Sequence, residues 1–212
     1  MENSHELEQY IANHILPEED FLNELERETH LTCIHPRMLS GHIQGKVLYM
    51  FCKMIQPRNV LELGTYTGYS AICMGLGLPE NGHIDTIEII DEQEEIISKY
   101  IHKSGLSDVI TLHIGDALNI IPALDKKFDL VFIDADKREY ITYYKLIFDK
   151  LNPGAYIIAD NILWDGKVID PLEKDDPQTK GIMNFNTLIK NDHRVENVIF
   201  PFRDGMMLIR KK

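Results

Sequence analysis

Apolar residues change their spacing along this chain at about residue 60. Ahead of that point they recur at three- and four-residue intervals. Leu7, Tyr10, Ile11 and His14 share a helical face, Pro17 interrupts, and Phe21, Leu22 and Leu25 resume the pattern. Leu39 to Ile55 reads as a further helix, with Val47, Leu48, Phe51 and Ile55 on one side and Pro57 closing it. From Val60 onward, short continuous apolar runs alternate with helical patterns. The strands expected are Val60–Leu63, His83–Ile89, Val109–Ile114, Phe128–Ile133 and Ala155–Ala159, with Asn152-Pro153-Gly154 as a turn before the last. Helices are expected between them over Tyr69–Leu78, Glu92–Ser104, a short stretch to Leu124, and one to Lys150. Strands without period-2 polarity belong to a parallel sheet buried on both faces. The tail differs: Val195–Pro201 and Met206–Ile209 flank Asp204-Gly205, a hairpin signal that closes the sheet with an antiparallel edge. The expected fold is α/β, a doubly wound, mostly parallel seven-stranded sheet.

The first strand runs into Gly64-Thr65-Tyr66-Thr67-Gly68-Tyr69-Ser70, a turn bracketed by glycines and followed by a helix start. Gly64 and Gly68 let the backbone turn tightly and approach a ligand with no Cβ in the way. The spacing is Gly-x-x-x-Gly, which is not the dinucleotide pattern, and no Lys-Ser/Thr pair follows to hold a triphosphate. Such a corner suits a nucleoside ligand without phosphates, or else is an ordinary strand-turn-helix.

Composition adds limits. Two hundred and twelve residues with 44% hydrophobic and 26% charged side chains suffice for one domain with a full core. Residues 1–56 form a helical segment ahead of the first strand that could cover the ligand pocket or make a dimer contact. The acidic start, Met1 to Asp20, has no basic region followed by an apolar one, and no apolar run spans a bilayer. Cys33, Cys52 and Cys73 are an odd, unpaired set, expected as reduced thiols of a cytoplasmic protein. A formal net charge of −12 works against loose binding to nucleic acid or anionic membrane.

In open α/β sheets ligands bind beyond the carboxyl ends of the strands. The second strand ends in Glu88-Ile89-Ile90-Asp91, about twenty residues past the glycine corner, where a carboxylate can accept from ribose hydroxyls. The third ends at Asp116-Ala117, where Asp116 could face a ligand or cap its short helix. The fourth delivers Asp134 and the fifth Asp160-Asn161. Neighbouring strands lie about 5 Å apart, so two carboxylates and an amide would converge. Carboxylates that close repel unless a proton or cation lies between them. An all-oxygen set without Cys or His prefers a hard ion such as Mg²⁺ or Ca²⁺. Capping of two loop starts is the competing explanation; the two motifs together favour a metal. Lys137, three residues past Asp134, could lean into the same place, lose proton affinity beside a cation and serve as a base.

Taken together, these motifs resemble the cation-dependent small-molecule O-methyltransferases, which include the catechol and caffeoyl-CoA enzymes and bacterial relatives. The resemblance covers roughly Met38 to the C-terminus. It rests on Val60 to Ser70, Ile87-Glu88, Gly115-Asp116-Ala117, Phe128 to Lys137, Asp160-Asn161 and Asp204-Gly205 in that order. It implies a Rossmann-like methyltransferase fold and an S-adenosylmethionine pocket lined by Glu62, Gly64, Thr65, Tyr66 and Ser70. Glu88 would hold the ribose, Asp116 and Ala117 would stand by the adenine, Ser40 near the methionine part, and Asp134 between cofactor and metal. Asp134, Asp160 and Asn161 would bind Mg²⁺ or another divalent cation, with Lys137 as general base. Tyr66, Met38 and Trp164 are candidate walls for a flat hydroxylated aromatic substrate; Trp164 could equally pack its own loop. A homodimer is the family's habit. Catechol-specific members carry a further carboxylate shortly before the closing Asp-Gly; here that place is apolar around Val198, with Glu196 out of step, which points away from catechol itself. Some bacterial relatives methylate a hydroxylated uridine in transfer RNA, for which Lys167, Lys174 and Lys180 could form a local patch. A nicotinamide dehydrogenase fails on the glycine spacing, and a non-catalytic binding module would have no use for Lys137.

Overall fold

A computed structural model describes residues 5–212, so the first four positions of the acidic N-terminal stretch lie outside the described residues. Five strands run parallel: β1 (Asn59–Leu63), β2 (His83–Glu88), β3 (Ile110–Ile114), β4 (Phe128–Ile133) and β5 (Leu151–Ala159). A hairpin of β6 (Val195–Phe200) and β7 (Met206–Lys211) completes the sheet in the order β3-β2-β1-β4-β5-β7-β6, with β7 antiparallel to both its neighbours. β1 has β2 on one side and β4 on the other, so the chain reverses its progress across the sheet between β1 and β4.

The helices are α1 (His5–His14), α2 (Asp20–Thr32), α3 (Gly41–Ile55), α4 (Tyr69–Gly77), α5 (Glu94–Lys103), α6 (Ala117–Ala123), α7 (Tyr140–Phe148) and α8 (Pro177–Asn191). Successive strand residues point to opposite faces, and both faces here are apolar. Leu61, Leu63, Val131, Ile133 and Ile157 pack under α6, α7 and α8 against Ile121, Tyr140, Ile147 and Phe185. Val60, Leu130, Phe132 and Ile158 pack on the other side under α2 to α5, against Leu25, Leu48, Ile72 and Ile97. Burying each such side chain contributes roughly 1.5–3 kcal/mol, so the strand ends are held by the whole sheet rather than by local contacts. No helix among the described residues is long and apolar enough to cross a membrane, and Cys33, Cys52 and Cys73 are free thiols.

Two features depart from the sequence-based expectation. Asn152-Pro153-Gly154 is not a turn before β5 but lies inside it, where the register against β4 shifts between Phe128 and Leu130. An irregular stretch tolerates the missing N–H of Pro153, and the Asn152 amide donates to Asp129 Oδ1 at 2.7 Å. Residues 162–194, to which the pattern assigned no element, contain a short 3-10 stretch (Trp164–Ile169) and the whole of α8. Asp176 caps α8 by accepting from Thr179 N, Pro177 starts it, and Ile182, Phe185 and Ile189 are its buried stripe. At Gly181 a Cβ would lie 2.4 Å from the Lys137 carbonyl oxygen, so α8 presses against the turn that carries Lys137.

Candidate active site

A cavity of about 1230 Å³ opens at the carboxyl ends of β1, β2, β4 and β5, at the place where the sheet order reverses. Single-ligand pockets usually hold about 300–1,000 Å³, so this space suits two reactants side by side. One wall is the corner after β1. Gly64 has φ +93°, and a Cβ there would sit 2.1 Å from the Asp134 carbonyl oxygen; no other residue fits without moving the loop after β4. Tyr66 adopts φ +53°, uncommon for a bulky side chain. Its N–H donates to Glu88 Oε2 at 2.7 Å, and its hydroxyl donates to the His35 carbonyl at 3.0 Å.

Glu88 closes this end. Its Oε1 accepts from Ile90 N at 2.9 Å, and a carboxylate offers about four acceptor positions, so capacity remains for ligand hydroxyls. Glu88, the last residue of β2, lines the cavity as expected of a ribose-facing carboxylate, while Asp91 begins a 3-10 turn outside it. Thr65, Ser70, Ser40, Asp116 and Ala117 also line it. Asp116 Oδ1 accepts from Leu118 N at 2.9 Å, so it does cap α6 while facing the cavity. Glu62, expected in the lining, is instead beneath it: β1 alternation turns its carboxylate into the core under α4, fully buried, where Oε2 accepts from Thr86 Oγ1 and the Ser70 hydroxyl lies beside the carboxylate. Its Oε1 has no partner among the described residues. Burial, opposed by those two hydroxyls, pushes Glu62 up to about 8.

The other end gathers side chains from distant segments. Asp134, Lys137, Asp160 and Asn161 line the same wall, with Trp164 and the half-exposed Met38 at its margin. Lys137 is buried; its Nζ donates to Asp134 Oδ1 at 2.7 Å and to the Tyr140 hydroxyl at 2.9 Å. Tyr140, fully buried, in turn donates to the Asp160 carbonyl at 3.0 Å. Burial alone would lower the proton affinity of Lys137, but the Asp134 charge and the Tyr140 oxygen outweigh it and hold it above its ordinary value. Beside Asp134 the lysine is held as an ammonium, whereas the weakened base expected of it presupposes a cation at its side. Asp160 is pushed up to about 6, first by burial and then by the Asp134 charge. Its Oδ2 accepts from Gln44 Nε2 at 2.6 Å. Among the described residues no three His, Cys, Asp or Glu side chains form a metal cluster, so the candidate set is two carboxylates and the Asn161 amide.

Several lining residues carry no sequence signal of their own. Gln44 and Arg203 meet at 2.7 Å across 159 positions, and His35, Arg37 and Gln178 also border the cavity. Trp164 both borders the cavity and packs on the core, 5.9 Å from Lys137 Nζ to its ring centre. Glu196 is spent on Arg210 at the sheet edge, and Val198 is exposed on β6, neither of them in the cavity wall. Of the expected lysine patch, Lys167 pairs with Asp176 at 3.6 Å.

Known proteins resemble this chain over most of its length. The profile of a family described as O-methyltransferase matches residues 12–212. A catechol O-methyltransferase of Niastella koreensis is 36% identical over 174 residues, 78% of each chain. Caffeoyl-CoA O-methyltransferase 5 of Nicotiana tabacum is 35% identical over 196 residues, 85% of this chain and 81% of that one. The solved O-methyltransferase of Bacillus cereus, in complex with SAH, superposes with a TM-score of 0.92 at 29% identity, over 98% of this chain and 97% of that one.

Proposed function

This chain belongs to the O-methyltransferase family, and from that premise we propose that it moves the methyl group of S-adenosylmethionine to one hydroxyl of a small catechol-like diol. The observation that carries this reading is the single cavity with a ribose-ready carboxylate, Glu88, at one end and the Asp134, Asp160 and Asn161 oxygens at the other. A solved relative holds SAH, the demethylated form of that cofactor. The corner Gly64–Ser70 would cradle the methionine and ribose parts by backbone approach, and Asp116 and Ala117 would border the adenine.

A divalent cation fits the acceptor end. Asp160 is buried, faces the Asp134 charge and is raised by it, while one lysine ammonium serves both acids. That leaves excess negative charge on hard oxygen donors, which suits Mg²⁺ better than a soft metal. Asp134, Asp160 and Asn161 would hold the ion, which would supply the positive charge that acidifies a chelated hydroxyl. With Asp134 so engaged, Lys137 would release its extra proton to solvent, and the neutral Nζ would then take the hydroxyl proton, kept in aim by Tyr140. The oxygen then forms its bond to the sulfonium methyl as the carbon–sulfur bond breaks, and the electron pair stays on sulfur as a neutral thioether. Met38 and Trp164 wall the acceptor and limit water.

The test is methyl transfer from labelled S-adenosylmethionine to a vicinal diphenol with Mg²⁺ or with EDTA. Transfer that stops in EDTA and returns with Mg²⁺ is expected. Transfer indifferent to EDTA would discard the cation, and label found in an RNA fraction, with binding weakened by salt, would move the substrate to transfer RNA.

A further inference from the structure

We propose that Gln44 is a positioning residue for the Asp160 carboxylate, with Arg203 setting which way its amide faces; its bearing on a cation rests on the reading above. Gln44 lies in the first turn of α3, 2% exposed, with both ends of its amide used. Nε2 donates to Asp160 Oδ2 at 2.6 Å, and Oε1 accepts from Arg203 Nη1 at 2.7 Å. An isolated side-chain amide can be turned over with little cost, and which end is oxygen has to be argued from its neighbours. Here the neighbours decide. Arg203 can only donate, and an ionised Asp160 can only accept, so a single orientation satisfies both.

The consequence is an indirect contact between a guanidinium and a buried acid. Arg203 comes from the loop between β6 and β7, at φ +50°, and also donates to the backbone carbonyl of Ser40 and, at 3.5 Å, of Leu39. A guanidinium placed directly on Asp160 would take both carboxylate oxygens in a fork and compete with any cation. Through Gln44 it polarises one donor that reaches Oδ2 alone. The carboxylate rotamer is thus fixed from behind, and the same arginine ties down residues 39 and 40, next to Met38 at the cavity margin. Neighbours that orient a ligating carboxylate typically change metal affinity about 10–100-fold when removed.

The experiment uses the full chain and its Gln44→Met, Arg203→Met and doubly substituted variants. Three readouts are taken: Mn²⁺ affinity by electron paramagnetic resonance, S-adenosylhomocysteine affinity by calorimetry, and the ¹⁵N–¹H resonances of the Gln44 side-chain amide. Gln44→Met is expected to weaken Mn²⁺ binding by about tenfold or more with S-adenosylhomocysteine affinity unchanged. Arg203→Met should weaken it less, shift the amide resonances, and add nothing once Gln44 is already methionine. Equal Mn²⁺ affinity in Gln44→Met and wild type would overturn the proposal. So would losses that add independently, or Mn²⁺ and S-adenosylhomocysteine affinities that fall together. A wild-type chain that binds no Mn²⁺ would defeat the cation reading instead; the relay then stands if Arg203→Met and Asp160→Asn each shift the Gln44 amide, and falls if neither does.

Discussion

The two ends of the cavity are built by different means. At the glycine end the wall is consecutive main chain: the corner Gly64–Ser70, the Tyr66 N–H on Glu88, and the α6 start capped by Asp116. At the acceptor end the groups are side chains gathered from four separate segments. Gln44 comes from α3, Asp134 and Lys137 from the loop after β4, Asp160 from the end of β5, and Arg203 from the hairpin. The first end asks the chain for shape. The second asks it to balance buried charge, where an unpaired ion is costly. Substitutions should therefore separate: cofactor binding and stability respond at one end, chemistry at the other.

Asp160→Ala is the strongest attempt to break that separation. It should lower turnover by about 10²–10³-fold, the usual cost of deleting a main electrostatic contributor. S-adenosylhomocysteine affinity should stay near wild type, because Glu88 and the glycine corner are untouched. Methyl transfer and calorimetry on the same preparation check it. Loss of cofactor binding along with turnover would mean that the ends are not separable.

Gly64→Ala should do the opposite and damage both ends at once. A Cβ at φ +93° would meet the Asp134 carbonyl at 2.1 Å, so the corner and the loop after β4 must part. Backbone strain and overpacking together suggest a loss on the order of 3 kcal/mol, or roughly 6–12 °C in Tm. A thermal melt unchanged by this substitution would show that the loop after β4 is free to move.

That asymmetry also explains what was legible in the sequence. Most of the glycine end is local: the corner from Gly64 to Ser70 stands within one strand-turn-helix and can be read from spacing, and Glu88 and Asp116 follow at the ends of the next two strands. Glu62 was misplaced because β1 is buried on both faces: its parity with Val60 turns it under α4, and an apolar run does not reveal which face meets a ligand. Glu88 was legible as the carboxylate at the end of β2 that faces a ligand; Asp91, three residues on, begins a 3-10 turn outside the cavity. At the acceptor end Asp134 and Asp160 were legible because adjacent parallel strands must end together. Their keepers were not, since nothing local links Gln44 to Asp160 or to Arg203. α8 did carry its signal, a capping Asp176, Pro177 and the Ile182, Phe185, Ile189 stripe, but no chemical motif drew attention to it.

Glu62 sharpens the comparison, being an acid wholly buried in the core beneath the glycine end. Its folded-state pKa, about 8, is raised above the ordinary 4.5 mainly by burial. Below the ordinary value both states are protonated and nothing is lost. As pH rises toward 8 the unfolded chain releases this proton while the folded one keeps it, so stability falls across that window. Glu62→Gln removes the titration, and should stabilise the protein at pH 8 relative to pH 5 by on the order of 3 kcal/mol more than wild type allows. Melts at both pH values decide it; parallel behaviour of variant and wild type would mean that Glu62 is ionised in the fold.

The smallest effect concerns Asp116, which both caps α6 and faces the cavity. If shape is what the glycine end demands, the cap is the larger role. Asparagine keeps a side-chain oxygen for Leu118 N and removes the charge, whereas alanine removes both. Asp116→Asn should then melt near wild type with cofactor affinity little changed. Asp116→Ala should lose about 1 kcal/mol, roughly 2–4 °C in Tm. The reverse result, an asparagine variant that melts normally but binds S-adenosylhomocysteine as poorly as the alanine one, would give the Asp116 charge a direct part in holding the cofactor. Charge would then matter at both ends of the cavity, and the division between a shaped end and a charged end would have to be redrawn at α6.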